Sequence, residues 1–227
     1  MIRVTENLGI IRDLLASAAA EAGRDPDSVR LLAVSKKQPV DSVLAAAALG
    51  QRDFGENTVH EGLEKIRAAA NERLIWHFIG HLQSNKTRVV AENFDWVHTI
   101  DKPKTANRLS NQRPPELGPL NICLQVNIDN EPSKSGTSID AVPELAAACS
   151  ELPNIRLRGL MCLPAIREGF EAQRQPFAKL RELGEALQDS VLAIDTLSMG
   201  MTADYRAAIF EGATIVRIGT AVFGARK

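Results

Sequence analysis

The stretch LLAVSKKQPV, residues 31–40, places four apolar residues directly before a serine and two lysines. A short apolar run of this kind is typical of a strand that is buried on both faces. Lysine is among the residues least often buried, so its position at the end of such a strand needs a reason. Either Lys36 reaches solvent beyond the strand, or the fold holds it there because it reacts.

The same alternation of a short apolar run with a helical segment recurs along the rest of the chain. Eight strands are predicted, at residues 30–35, 53–57, 74–80, 95–100, 120–128, 156–163, 194–200 and 214–219. Strands that alternate with helices indicate an α/β fold with a parallel sheet, and a count of eight favours a closed (β/α)8 TIM barrel. An open doubly wound sheet is the alternative, but SKKQPV stands where its glycine-rich dinucleotide motif would follow the first strand.

An extra N-terminal helix is predicted before the first strand, at about residues 3–22. Ile10, Leu14 and Ala18 recur every four residues and indicate its buried stripe. The chain shows no linker and no low-complexity tract. Residues 1–227 are therefore predicted to form a single domain.

Charge and composition exclude several classes of partner. The net charge is -1, from 27 basic and 28 acidic residues, and no block of like charge stands out. Nucleic acid and membrane surfaces are therefore not expected as partners. The first residues lack a long apolar segment, so neither a signal peptide nor a membrane span is expected.

The three cysteines, Cys123, Cys149 and Cys162, show no metal-binding spacing. Two of them lie inside apolar runs, which predicts buried, reduced thiols in a cytoplasmic protein. His77 and His81 are four residues apart, which on a helix would suit a metal. Here they straddle a strand end and lack an acidic neighbour, so no metal site is predicted. His77 is expected instead to orient a residue of the barrel mouth or to pack at the rim.

Chemistry in a barrel of this kind gathers where the strands end. The seventh and eighth predicted strands end in SMGMT (198–202) and RIGT (217–220), which supply glycines, hydroxyls and an arginine. With a helix that begins at about residue 203, these ends suit a phosphate, since backbone N–H groups and a helix dipole favour an anion. The alternative is that Gly200 and Gly219 only permit tight turns.

A phosphate site would give Lys36 a purpose. A lysine at a barrel mouth can form a Schiff base with an aldehyde. Partial burial and a cationic neighbour such as Arg217 would favour the neutral amine that this reaction requires. The alternative, a lysine that only reaches solvent, is the expectation for Lys37.

Several ordered motifs resemble one known family. They are LLAVSK, FGEN, WHFIGHLQSNK, SKSG (133–136), SMGMT and VRIGTAVFGAR. Together they closely resemble the YggS/PROSC family of pyridoxal 5'-phosphate (PLP) homeostasis proteins, over about residues 5–226. The resemblance implies a barrel like the N-terminal domain of alanine racemase, with PLP as the cofactor.

The resemblance also implies roles for individual residues. Lys36 would carry PLP as a Schiff base, Asn57 would lie beside the cofactor ring, and Arg217 would face the pyridine nitrogen. The phosphate would be surrounded by Thr202, Gly219 and Thr220, with Ser198 and Met201 close by. An arginine at that nitrogen keeps it unprotonated, which makes the ring a poorer electron sink. No catalytic residue is assigned.

Three functions remain open on the sequence. The first is a monomeric carrier that sequesters PLP and delivers it to apo PLP-dependent enzymes. The second is a PLP-dependent racemase or related enzyme, which would need a second base that the chain does not show. The third is a barrel that binds another phosphorylated ligand. Lys134 is either an ordinary loop lysine or a second, transient attachment point for PLP.

Overall fold

Eight parallel strands form a closed barrel in the order in which they occur along the chain. The computed structural model describes residues 2–131, 134–189 and 193–224. Its strands are β1 Arg30–Val34, β2 Asp53–Glu56, β3 Ile75–Phe78, β4 Trp96–Ile100, β5 Leu120–Val126, β6 Ile155–Cys162, β7 Thr196–Ser198 and β8 Ile215–Ile218. Because β8 pairs with β1, the sheet has no free edge. The predicted TIM barrel is confirmed, and the open doubly wound sheet is excluded.

Helices surround the barrel. They are α1 Ile2–Glu21, α2 Val40–Ala48, α3 Val59–Ala68, α4 Thr87–Asn93, α5 Pro103–Gln112, α6 Val142–Ser150, α7 Phe170–Asp189, α8 Tyr205–Phe210 and α9 Thr220–Phe223. No helix among the described residues is long and apolar enough to cross a lipid bilayer. Ser133 of the SKSG motif and the last two residues of the VRIGTAVFGAR motif lie outside the described residues.

The predicted strands are confirmed to within two residues at every end. Agreement is this close because the outer face of a TIM-barrel strand packs on helices, and its inner face packs on the other strands. All five residues of β4 and all four of β8 are buried, for example. Such strands appear in the sequence as mainly apolar runs, although β4 contains His98 and β8 contains Arg217.

The extra N-terminal helix is present, but its predicted buried stripe is wrong. Ile10 and Leu14 are 57% and 44% exposed, and only Ala18 of that stripe is buried. The buried stripe instead contains Leu8, which is fully buried, and apolar residues three or four positions before and after it. This helix packs against α2, α8 and α9. Because α1 carries apolar residues on two neighbouring stripes, periodicity alone did not show which stripe faces the barrel.

The three cysteines are free and buried, as predicted. Loss of hydration on burial raises the pKa of each thiol to about 12. Cys123 belongs to a small apolar cluster with Trp96 and Met161, separate from the main core. Since Met161 also lines the cavity described below, this cluster adjoins the barrel mouth.

Candidate functional site

A cavity of about 210 Å³ opens where the strands end. It is lined by Val34, Lys36, Gln38, Asn57, Ile79, Met161, Leu163, Met201, Thr202, Arg217, Gly219 and Thr220. Seven of the eight predicted site residues are in this lining, although they come from opposite ends of the chain. The eighth, Ser198, is fully buried and does not line the cavity.

Lys36 lies two residues after the end of β1, and a buried ion pair fixes Ser35, the residue before it. The amine of Lys65 donates to the Ser35 carbonyl oxygen and to Glu56 Oε1, at 2.7 Å in each case. The Ser35 hydroxyl donates to the same carboxylate oxygen at 2.5 Å. Burial raises the pKa of Glu56, because the loss of hydration outweighs the hydrogen bonds from Lys65 and Ser35. No sequence pattern marked Lys65, which lies within α3.

The residue after Lys36 is fixed as well. The backbone N–H of Lys37 donates to Glu61 Oε2 at 2.9 Å. Lys37 also adopts a left-handed backbone conformation with a φ of 58°, which is uncommon for a residue other than glycine. The Lys37 side chain is exposed and does not line the cavity, whereas Lys36 does. The chain therefore presents one of the two lysines to the cavity and holds its backbone from both sides.

Asn57 is held by a close approach of two backbones. A side-chain carbon on Gly80 would lie 1.8 Å from the carbonyl oxygen of Asn57, so only glycine fits there. The loop after β3 is thereby packed directly on the end of β2. This contact explains the glycine in the WHFIGHLQSNK motif and fixes the backbone of Asn57 at the cavity wall.

The loop after β7 turns sharply at Gly200, which has a φ of 93°. A side-chain carbon there would lie 2.6 Å from the Ala208 side chain. The backbone N–H of Met201 donates to Asp204 Oδ1 at 2.6 Å, so that donor is already committed within the loop. The following helix begins at Tyr205, two residues later than predicted, with Asp204 as the residue before it. Met201 and Thr202 nevertheless line the cavity.

Gly219 and Thr220 close the cavity on the β8 side. The backbone of Gly219 packs on the end of β1, where an added side-chain carbon would lie 3.0 Å from the Val34 carbonyl oxygen. Thr220 is the first residue of α9. Thr202 and Thr220 are both exposed and line the same cavity, so their hydroxyls are open to a ligand from solvent.

Arg217 is a buried cation in the cavity wall, 5% exposed. Its Nη1 donates to the carbonyl oxygen and the hydroxyl of Ser198, at 2.5 and 2.9 Å, and its Nη2 donates to the Cys162 carbonyl oxygen at 2.9 Å. Burial lowers the pKa of Arg217, but a guanidinium keeps its proton in proteins. Ser198 thus contacts Arg217 from outside the cavity lining, and its place close to a bound phosphate stays a prediction.

Of the two alternatives for His77, packing at the rim is wrong, and orienting a residue of the barrel mouth stays a prediction. His77 is fully buried, with Nδ1 at 2.8 Å from His98 Nε2 and Nε2 at 3.0 Å from Asp53 Oδ1. The side chain therefore faces the inside of the barrel, whereas His81 is exposed. No cluster of three or more metal-ligating side chains occurs among the described residues.

Lys134 lies away from the cavity lining. Its amine is 2.9 Å from Glu131 Oε1 and 3.7 Å from Asp129 Oδ2. Both partners come from the same loop after β5. This ion-paired arrangement favours an ordinary loop lysine over an attachment point for a cofactor.

The donor set of the cavity suits a phosphorylated aromatic aldehyde. Lys36 supplies an amine, Arg217 a fixed cation, Asn57 an amide, and Thr202 and Thr220 two hydroxyls. Among the described lining residues, Lys36 and Arg217 are the only titratable ones. The arrangement can therefore hold an anion and form a covalent bond through the amine.

Comparison with known proteins gives one consistent result. The family model for the alanine racemase N-terminal domain matches residues 8–227. A Pseudomonas aeruginosa protein named pyridoxal phosphate homeostasis protein is 54% identical over 226 residues, which cover 100% of this chain and 97% of the relative.

Solved structures agree with this match. PipY of Synechococcus elongatus, solved with PLP bound, is 35% identical and superposes with a TM-score of 0.86, over 97% of this chain and 100% of that chain. Alanine racemase of Clostridium difficile has a TM-score of 0.80 at 14% identity, over 99% of this chain and 57% of the racemase chain. The likeness to the racemase shows a shared fold alone.

We predict that Lys65→Met will lower the free energy of unfolding by about 3–5 kcal/mol, because it leaves the Glu56 carboxylate buried without its cation. Urea denaturation at pH 7 measures the loss. The deficit should shrink towards pH 4, where Glu56 is protonated in both proteins.

Arg88→Met is the matched control, since Arg88 forms an ion pair with Glu92 while 66% exposed. It should change the unfolding free energy by less than about 1 kcal/mol. Equal losses in the two variants would contradict the role of the buried pair.

Proposed function

This chain belongs to the YggS/PROSC family of pyridoxal phosphate homeostasis proteins, and from that premise we propose that it binds PLP reversibly through Lys36 and takes part in intracellular PLP homeostasis. The observation that carries the proposal is the convergence of Lys36, Arg217 and the two threonine hydroxyls on one cavity. The PLP-bound structure of PipY, a relative at 35% identity, supports the same cofactor.

In this proposal, each residue of the cavity contacts a different part of the cofactor. PLP, when bound, supplies an aldehyde that forms a Schiff base with an amine. Lys36 is the amine, and the fixed backbones of Ser35 and Lys37 keep it at the cavity. Thr202, Gly219 and Thr220, with the Met201 side chain beside them, hold the phosphate. Asn57 lies beside the ring.

Arg217 faces the pyridine nitrogen in this proposal and keeps it unprotonated, since a guanidinium is a donor only. An unprotonated ring stabilises a carbanion poorly, which disfavours amino-acid chemistry. The second candidate function, a racemase, would also need an acid or base on the far side of the ring. The described lining residues supply none beyond Lys36 and Arg217. The proposed function is therefore that of a PLP carrier.

The cellular compartment, the oligomeric state and the recipients of PLP belong to the same proposal. The buried thiols, with pKa values of about 12, suit a reducing cytoplasm. The cavity is lined by one chain, so a monomer suffices to hold the cofactor. Apo PLP-dependent enzymes are the proposed recipients.

We predict that the protein with bound PLP is yellow and that borohydride reduction fixes the cofactor on the Lys36 peptide. Lys36→Ala should abolish both the colour and the label, because it removes the only amine in the described cavity lining. Absorption spectra and peptide mapping of the reduced protein provide the measurements.

Lys37→Ala and Lys134→Ala are the controls for this experiment, because neither lysine lines the cavity. Both should keep the colour and the label. Label that is found mainly on the Lys37 or Lys134 peptide in the unmodified sequence would contradict the assignment. A protein that binds no PLP at all would contradict the proposed function.

We predict that Thr202→Val with Thr220→Val will weaken PLP binding on the order of a hundredfold or more. Each hydrogen bond to a charged group is worth about 1.5–3 kcal/mol, and about 1.4 kcal/mol corresponds to a factor of ten in the dissociation constant. Titration by absorption measures the constant for PLP and for pyridoxal, which lacks the phosphate.

Pyridoxal binding should be unchanged by the valine pair, and the corresponding serine pair should keep its affinity for PLP because it retains both hydroxyls. If PLP and pyridoxal weaken by the same factor in the valine pair, the phosphate does not lie between these threonines.

A further inference from the structure

A chain of buried hydrogen bonds crosses the interior of the barrel and ends at the cavity. It contains Asp53, His77, His98, Ser198 and Arg217. The contacts measure 3.0 Å from Asp53 Oδ1 to His77 Nε2, 2.8 Å from His77 Nδ1 to His98 Nε2, 2.8 Å from His98 Nδ1 to Ser198 Oγ, and 2.9 Å from Ser198 Oγ to Arg217 Nη1. All five residues are buried, and His77, His98 and Ser198 are fully so.

The two ends of this chain differ. Arg217 lines the cavity at the carboxyl ends of the strands. Asp53 is the first residue of β2, at the opposite face of the barrel. There it lies 3.4 Å from Arg30 Nη1, whose side chain is 46% exposed. The hydrogen-bond chain therefore links the mouth of the barrel to its far end through side chains from five different strands.

With both histidines neutral and the Asp53 carboxylate as an acceptor, one arrangement of protons satisfies every contact. Arginine can only donate, so the Ser198 oxygen accepts from Arg217 and the Ser198 hydroxyl donates to His98 Nδ1. His98 then carries its proton on Nε2 and donates to His77 Nδ1. His77 in turn carries its proton on Nε2 and donates to Asp53 Oδ1.

Both histidines are neutral in this arrangement. Burial lowers the pKa of His77, and burial together with the nearby positive charges lowers the pKa of His98 well below its usual value. Each ring therefore has one donor and one acceptor, as the contacts require. In the reversed chain His77 Nε2 would carry no proton, and it would face the Asp53 carboxylate as one acceptor against another.

We propose that His98 is a positioning residue, which acts through Ser198 to hold the guanidinium of Arg217 where it meets the ring nitrogen of the bound cofactor. His77 and Asp53 support it by fixing the tautomer of His98. This inference rests on the proposed PLP binding.

The physical reason is the freedom of an arginine side chain. Ser198 and the Cys162 carbonyl oxygen are the contacts that fix the two Nη atoms of Arg217. If the Ser198 hydroxyl has no acceptor in His98, its buried proton is left unsatisfied, and the side chain can turn to another rotamer that moves Oγ away from Arg217 Nη1. The charge at the ring nitrogen would then shift, while the phosphate contacts of Thr202 and Thr220 would stay in place.

The experiment records the ¹⁵N NMR signal of PLP labelled at the ring nitrogen, bound to the full chain, together with the dissociation constant and the melting temperature. His98→Phe removes both hydrogen bonds of the ring. We expect the ¹⁵N signal to move and the dissociation constant to rise about tenfold, as for the loss of one hydrogen bond to a charged group. His98→Asn, whose amide oxygen lies near the position of Nδ1 and can accept from Ser198, should keep the signal near its original position.

Cys123→Ala is the matched control, since Cys123 is equally buried next to the cavity but has no place in the hydrogen-bond chain. It should lower the melting temperature without moving the ¹⁵N signal. Ser198→Ala should reproduce the effect of His98→Phe, and it serves the same test if the phenylalanine variant does not fold. The double variant should move the signal no further than either single change, because both break the same chain.

An unmoved ¹⁵N signal in His98→Phe or in Ser198→Ala would overturn the inference, and so would additive displacements in the double variant. Either result would leave PLP binding itself intact. A wild-type protein that binds no labelled PLP would instead contradict the proposed function on which the inference rests.

Discussion

The pairing of the first strand with the last is the contact on which the site depends. Leu32 of β1 lies beside Arg217 of β8, and the register carries on until the Gly219 backbone packs against Val34. This closure brings Lys36 and Thr220 to one cavity although they are far apart in the chain. The cavity exists only when the barrel is closed, so folding and cofactor binding depend on the same backbone hydrogen bonds.

Two buried polar networks then fix the two charged groups of the cavity. Glu56 and Lys65 lie outside the barrel wall and hold the backbone next to Lys36, whereas the histidine chain lies inside the barrel and ends at Arg217. Buried polar groups are costly unless they are satisfied, so each network needs all of its members. The amine and the guanidinium are thereby held by separate sets of contacts.

The sequence was sufficient for the barrel and for most of the cavity wall, for a physical reason. Strands buried on both faces are mostly apolar, and the polar residues at their ends gather at one mouth, so Lys36, Asn57 and Arg217 could be placed by pattern. Lys65 and His98 could not, because their partners are distant in sequence and a buried polar residue in an element leaves no periodic signal. The contact of Ser198 with Arg217 could not be predicted either, because it exists only across the closed sheet.

The central claim is that the site holds PLP for release and does not turn over amino acids. The most direct measurement mixes PLP-loaded protein with an apo PLP-dependent enzyme and follows the recovered activity, with racemisation of free alanine assayed in parallel. The account predicts recovered activity and no racemisation above background. Racemisation at ordinary enzyme rates, on the order of 10 turnovers per second, without transfer of PLP would contradict it.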